Sequence, residues 1–173
     1  MTALLWATLV AIWAPAQAEE HALSEREVTQ LSTKAEAVVR GEVRAQRLEH
    51  DHTGIWTIAT VRVTETMQGS APIVTEVRVP GGKLNDMEVM VARAPRLLPG
   101  DEVLLFLKGD RIVGLGQGAF VVHDNQIWQA LDPWTFGNAA KRSTATASLD
   151  LDRVRQAVNR ADASSDHPSS AGN

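Results

Sequence analysis

Two histidines beside acidic residues form the first group in the chain whose types and spacing could do chemistry. Residues 49–52 read Glu-His-Asp-His, so the imidazoles of His50 and His52 lie at i and i+2, on one side of an extended segment. A zinc site needs three or four converging ligands. With His123 and scattered acids as the remaining donors, the pattern favours a solvated hairpin tip. A metal site or a hydrolase centre at His50 and His52 is the alternative.

The start of the chain reads as a cleavable export signal. Residues 3–14 are almost wholly apolar, Pro15 ends the run, and Ala16 and Ala18 form the small-residue pattern read by signal peptidase. The run is shorter than the about 20 residues that a spanning helix needs, which favours cleavage over an uncleaved anchor. The lack of cysteine excludes a lipid-modified form. We therefore predict a signal peptide over residues 1–18, no stable membrane anchor after cleavage, and a location in the periplasm or the medium.

Cleavage after Ala18 would itself create a metal-binding group. The new terminus would read Glu19, Glu20, His21, with histidine third from a free amine. Such a terminus binds Cu(II) or Ni(II) in a square-planar set made of the α-amine, two deprotonated amides and an imidazole nitrogen. We predict no resident cofactor, and copper or nickel at this terminus is the alternative.

Other catalytic signatures are missing from the sequence. It has no cysteine, no G-x-S-x-G and no S-x-x-K. The glycines of residues 114–118 imitate a phosphate loop, but they lie between predicted strands and not before a helix, so a bend is favoured. The net charge is −4 and the arginines are scattered among acids, so we predict no nucleic-acid partner. These observations favour a binding protein over an enzyme.

Tryptophan is the main aromatic surface that remains after cleavage. Trp56, Trp128 and Trp134 lie beyond the predicted signal, and the chain has no tyrosine. Indole rings on a barrel face can stack on sugars or anchor a protein partner, although each is also suited to packing in a core. We predict a protein or a glycan as partner, with these three side chains as its contacts.

The elements that position these residues change from a helical to a strand-like period at about residue 37. Ser24 and Glu27 match a capping box, which predicts a helix to about residue 34. From residue 37 the period is that of strands, with Gly41 placed for a bulge or a sharp bend. The predicted strands are 37–43, 55–67, 73–79, 102–107, 111–115, 119–123 and 126–131, with one further short strand within 83–96. The predicted strand at 102–107 contains a continuous apolar run from Val103 to Leu107, which indicates burial on both faces.

These elements predict a mainly β protein: a small antiparallel, OB-like β-barrel of about six to eight strands with a short N-terminal helix and a C-terminal helix. Closure into a barrel would remove exposed strand edges, and a β-sandwich is the alternative. The predicted map is a signal peptide at 1–18, a barrel domain with its N-terminal helix at 19–137, a linker at 138–148, a helix at 149–160 and a disordered tail at 161–173.

Five segments carry a resemblance to known proteins. They include the Pro-Gly-Gly that follows Val79 and the glycine-rich stretch before Phe120, and their ranges are 35–41, 60–69, 77–82, 99–107 and 113–120. Together they resemble a group of uncharacterised exported bacterial β-barrel proteins, over about residues 23–131. Their order is also similar, more distantly, to the netrin-like, OB-type barrel of tissue inhibitors of metalloproteinases.

The resemblance implies a fold and not a mechanism. The inhibitors chelate the protease zinc through a processed N-terminal cysteine and are braced by disulfides, and this chain has no cysteine. We therefore predict an exported, non-catalytic binding or accessory module that acts on a secreted enzyme or an envelope partner. A metal-handling protein or a hydrolase that uses His21, His50 or His52 is the alternative.

Overall fold

The protein is mainly β, with a helix at each end of the described chain. The computed structural model describes residues 23–130 and 149–165. Its elements are α1 (Glu25–Lys34), β1 (Ala37–Asp51), β2 (Gly54–Gln68), β3 (Val74–Pro80), β4 (Gly82–Leu84), β5 (Met87–Val89), β6 (Glu102–Lys108), β7 (Arg111–Ile112), a short 3-10 helix (Leu115–Gly118), β8 (Ala119–His123), β9 (Gln126–Gln129) and α2 (Leu151–Ser165).

Five strands form a ring. β1 pairs antiparallel with both β2 and β6, and the order β1-β2-β3-β7-β6 returns to β1. The ring is not a clean barrel, because β3 and β7 share a single parallel pair, Arg78 with Arg111. β8 and β9 continue the sheet from β6, and β4 and β5 form a separate hairpin. The ring confirms the predicted mainly β, barrel-like fold.

The core has two parts, one on each face of the sheet. Inside the ring, Val39, Ala59, Val77 and Leu105 are buried together with residues of the neighbouring strands. Outside it, α1 and α2 pack against the second cluster, which contains Phe106. All residues from Val103 to Leu107 are buried, with alternate side chains in the two clusters. The continuous apolar run therefore lies between two layers, as its composition predicted.

An ion-pair network ties α2 to the sheet. Arg155 donates from Nε to Glu65 Oε1 at 3.0 Å and from Nη1 to Asp152 Oδ1 at 2.5 Å. The hydrogen bonds from Arg155 hold the pKa of Glu65 below its usual value.

At the N-terminal end, Ser24 and Glu27 form the predicted capping box of α1.

Gly41 lies where β1 bends to pair with two strands. The register of β1 against β2 shifts between Arg40 and Gly41, which confirms the predicted bulge. A side chain here would collide with the Arg62 carbonyl oxygen and would lie 2.8 Å from Val61 Cγ1. The close approach of the two backbones therefore requires glycine.

Several predicted boundaries were wrong. Residues 83–96 carry two short strands, β4 and β5, instead of one. β7 ends at Ile112 because Gly114 adopts a left-handed conformation, with φ 63°, and the glycine-rich stretch forms a 3-10 helix. The connection between the first two strands is shorter than predicted. β1 continues to Asp51 and β2 begins at Gly54, so a tight turn joins them.

The predicted end of the C-terminal helix was also wrong. α2 continues to Ser165, five residues into the predicted tail. Ala161 is 4% exposed, so an additional turn of the helix packs against the protein. The predicted signal peptide and the linker at 138–148 lie outside the described residues.

Candidate functional site

The turn between β1 and β2 fixes the position of Trp56. Asp51 Oδ1 accepts hydrogen bonds from the backbone N–H and the hydroxyl of Thr53, at 2.8 and 2.5 Å, which closes the turn. The indole Nε1–H of Trp56 points back at this turn, 3.2 Å from Asp51 Oδ1 and 3.0 Å from Thr53 Oγ1. The half-buried indole is therefore held by its polar edge.

Two arginines lie over the Trp56 ring. The Cζ atoms of Arg78 and Arg111 are 4.8 and 5.3 Å from the ring centroid. Both distances fall within the range of cation–π attraction. The parallel pairing of Arg78 with Arg111 places these two side chains beside each other, although they are far apart in the sequence.

Asp51 joins one of these arginines to the turn. Its Oδ2 accepts a hydrogen bond from Arg78 Nη2 at 2.7 Å. The pKa of Asp51 is held well below its usual value, first by the Thr53 hydroxyl, then by the Thr53 backbone N–H and by Arg78 and Trp56, against some desolvation. Asp51 is thus a fixed carboxylate that orients its neighbours, and it is unsuited to act as a general acid.

A cleft lies next to this cluster, at the point where Pro80 ends the pairing of β3 with β7. The backbone N–H of Arg78 donates to the Asp110 carbonyl oxygen at 2.8 Å, as parallel pairing of β3 and β7 requires. The next donor on β3 would be Pro80, which has no N–H, so the ladder stops there. Beyond that point lies a cleft of about 430 Å³, lined by Trp56, Arg78, Val79, Pro80, Pro95, Arg111, Ile112, Gly114 and Leu115. We call it the seam cleft.

The polar chemistry of the seam cleft is cationic. Arg111 is exposed and has no ion pair with any carboxylate of the described residues. Arg78 has its Nε buried without a hydrogen bond, 3.9 Å from Asp110 Oδ2. None of the lining side chains is a nucleophile, a carboxylate or an imidazole. The seam cleft can therefore bind an anion beside an apolar group, and its lining offers no acid–base pair.

The two predicted histidines have no third metal ligand beside them among the described residues. His50 is exposed at the end of β1, opposite Ile55, and His52 is exposed in the turn. Asp51, the carboxylate between them, is bound to Thr53, Trp56 and Arg78. Within residues 23–130 and 149–165, no group of three or more His, Asp or Glu side chains could hold a metal ion.

The predicted tryptophans have different outcomes. Trp56 is the central side chain of the seam cleft. Trp128 lies on β9, where it is 36% exposed, and does not line that cleft. Trp134 lies outside the described residues, as do Glu19, Glu20 and His21.

Sequence reasoning missed the arginines of the seam cleft. Alternation along the third strand places Arg78 on its outward face, but nothing local distinguishes Arg78 from Arg62 or Arg111. The pairing of β3 with β7 is what brings Arg78 and Arg111 to one indole. Asp51 was considered only as a companion of the histidines.

The ring and its side opening define a class of structure: a small barrel-like β domain with a cationic cleft in its wall. Comparison with known proteins adds no family, because no protein-family model, curated protein or solved structure matched the chain. The resemblance to exported barrels and netrin-like domains stays a prediction. Neither helix of the described residues combines the length and apolarity needed to cross a membrane.

Proposed function

We propose that this protein is a non-catalytic binding module that holds a protein partner in the seam cleft, with Trp56 as the anchor. The observation that carries the proposal is the fixed indole. Trp56 is bound through Nε1 to the hairpin turn and lies under two guanidinium groups, at the wall of an open cleft. Tryptophan and arginine are the side chains most enriched among residues that dominate binding energy at protein interfaces.

The composition of the seam cleft supports binding over catalysis. Its lining is apolar apart from the two guanidinium groups and the indole N–H. Arginine remains protonated at all physiological pH values, so it does not serve as a general base. In the part of the chain that the structure describes, no group of three or more His, Asp or Glu side chains could hold a metal ion, so His50 and His52 lend the metal-handling or hydrolase alternative no support there.

The proposal includes export, for which the apolar run at residues 3–14 and the Ala16–Ala18 pattern are the support. The module would then act in the periplasm or the medium, as an accessory to a secreted enzyme or an envelope component. A cysteine-free chain suits that role, because its stability does not depend on the thiol chemistry of the compartment.

We expect the exported protein to begin at Glu19. Expression of the full chain in a bacterial host with a functional export pathway, followed by intact-mass measurement of the envelope and medium fractions, tests this. Replacing Ala16 and Ala18 by bulky residues should block processing, because signal peptidase accepts only small side chains there. If the unsubstituted chain is recovered with a mass that still includes residues 1–18, the proposed cleavage after Ala18 is wrong.

Replacing Trp56 by alanine should weaken partner capture at least tenfold. Loss of a buried aromatic anchor typically costs 2 kcal/mol or more, whereas contacts at the rim cost little. The measurement is quantitative capture from the native envelope and medium, with immobilised protein and mass spectrometry. Trp128→Ala is the matched control, because it removes an exposed indole away from the seam cleft.

A double variant, His50→Ala with His52→Ala, completes the design. Capture should be unchanged in it, since neither histidine lines the seam cleft. If the histidine variant loses the partner and the Trp56 variant keeps it, the proposed site is wrong.

A further inference from the structure

We infer that the seam cleft recognises an acidic side chain next to an apolar residue, in an extended segment of the partner protein. Arg111 would bind the carboxylate, and the apolar wall would take the neighbouring side chain. This inference rests on the proposed function and names the chemistry of its partner.

Arg111 has the geometry of a carboxylate receptor. Its guanidinium lies over the Trp56 ring, 5.3 Å from the centroid, which restricts its orientation. A guanidinium that contacts an aromatic face still has its N–H groups at the edge, where they can form two parallel hydrogen bonds with a carboxylate. The aromatic contact thus prepares the side chain and leaves its donors available.

Several other arginines of the sheet already have carboxylate partners. Arg40 pairs with Glu102 and Arg47 with Glu76, at 2.7 and 2.5 Å. Arg111 has no such partner in the described part of the chain, while its neighbour Arg78 is bound to Asp51. The two cleft arginines therefore differ in role: Arg78 is fixed within the protein, and Arg111 can accept an external carboxylate.

The loop that contains Pro95 also carries two arginines. Pro95 lines the cleft, and Arg93 and Arg96 flank it in the sequence, both exposed and both without an ion pair among the described residues. The counter-charges recorded at the cleft arginines are Asp51, 2.7 Å from Arg78 Nη2, and Asp110, 3.9 Å from Arg78 Nε. A local excess of arginine on a protein of net charge −4 favours an anionic segment over a cationic one.

The remaining wall of the seam cleft is apolar. Pro80, Pro95 and Ile112 line it together with Leu115, whose side chain is 38% exposed. A volume of about 430 Å³ fits a few side chains and not a folded element.

The test uses the full mature chain and two matched arrays of blocked heptapeptides, acetylated and amidated. One array has a central glutamate and the other a central glutamine, each with every apolar residue on either side. We expect the best glutamate peptides to bind at least tenfold more tightly than their glutamine counterparts by fluorescence anisotropy. Binding should weaken when salt is added. It should also weaken when the pH is lowered to less than about 4.3, because the peptide carboxylate is then protonated.

Arg111→Gln should reduce binding of the best glutamate peptide about tenfold. Arg111→Lys should have an intermediate effect, because lysine keeps the charge but cannot donate two parallel hydrogen bonds from a planar group. Arg62→Gln is the matched control: Arg62 is exposed on β2, it does not line the seam cleft, and its loss changes the net charge equally. Thermal melts establish that each variant is folded.

Three outcomes would overturn the inference: equal binding of glutamate and glutamine peptides, an equal loss in Arg62→Gln, or no binding by either array. In each case Trp56-dependent capture of a partner can still succeed, so failure of this inference is distinguishable from failure of the proposed function.

Discussion

Phe106→Ala should lower the free energy of unfolding by about 3–5 kcal/mol. Phe106 is fully buried on β6, in the cluster between the sheet and the two helices. Its ring meets that of Phe120 edge to face, with centroids 6.0 Å apart and planes at 77°. Truncation would leave a cavity under both helices and remove this aromatic contact, and a closely packed layer relaxes only partly around such a void.

Urea denaturation followed by circular dichroism measures this loss. Ile73→Ala is the control, because Ile73 is 75% exposed and its truncation should change stability by less than about 0.5 kcal/mol. Leu105→Ala tests the other face of the same strand and should cost about 2–5 kcal/mol, since Leu105 is fully buried inside the ring. A loss below about 1.5 kcal/mol for Phe106→Ala would mean that the helices do not pack on the sheet as described.

Gly41→Ala should cost about 3 kcal/mol, although it adds only one methyl group. The new Cβ would overlap the carbonyl oxygen of Arg62 and lie 2.8 Å from Val61 Cγ1. Gly41 pairs with Val63 on β2 and with Val103 on β6, so β1 cannot move away from one neighbour without straining its pairing with the other. Overpacking of a constrained site typically costs 1–3 kcal/mol.

Ala45→Val provides the comparison for Gly41→Ala. It also enlarges a side chain on β1, but at an exposed position beyond the pairing with β6, and should leave stability within about 0.5 kcal/mol of the parent. Thermal and urea unfolding of the two variants together isolate the effect of the backbone approach. Equal stability of both variants would show that β1 and β2 can separate at Gly41, against the ring geometry.

Much of the fold could be predicted from the sequence because the signals are local. The capping box of Ser24 and Glu27 sets the start of α1, and alternation of apolar and polar residues sets the faces of β2 and β3. Residues 103–107 are apolar on both faces of β6, and all five are buried. The ends of β7 and α2 were predicted less well. β7 stops before the left-handed Gly114, and α2 continues far enough to bury Ala161, which depends on tertiary packing.

The candidate site shows the same division. Composition alone determined that cysteine chemistry is absent, and the sequence singled out Trp56 as a candidate contact, which the structure places in the lining of the seam cleft. Only the tertiary structure decided that Arg78 and Arg111 meet over that indole and that Asp51 serves this cluster instead of a pair of histidines. The physical reason is that a local pattern determines which face of its strand a side chain lies on. Strand pairing determines which distant side chain lies beside it, and here the pairing of β3 with β7 stops at Pro80.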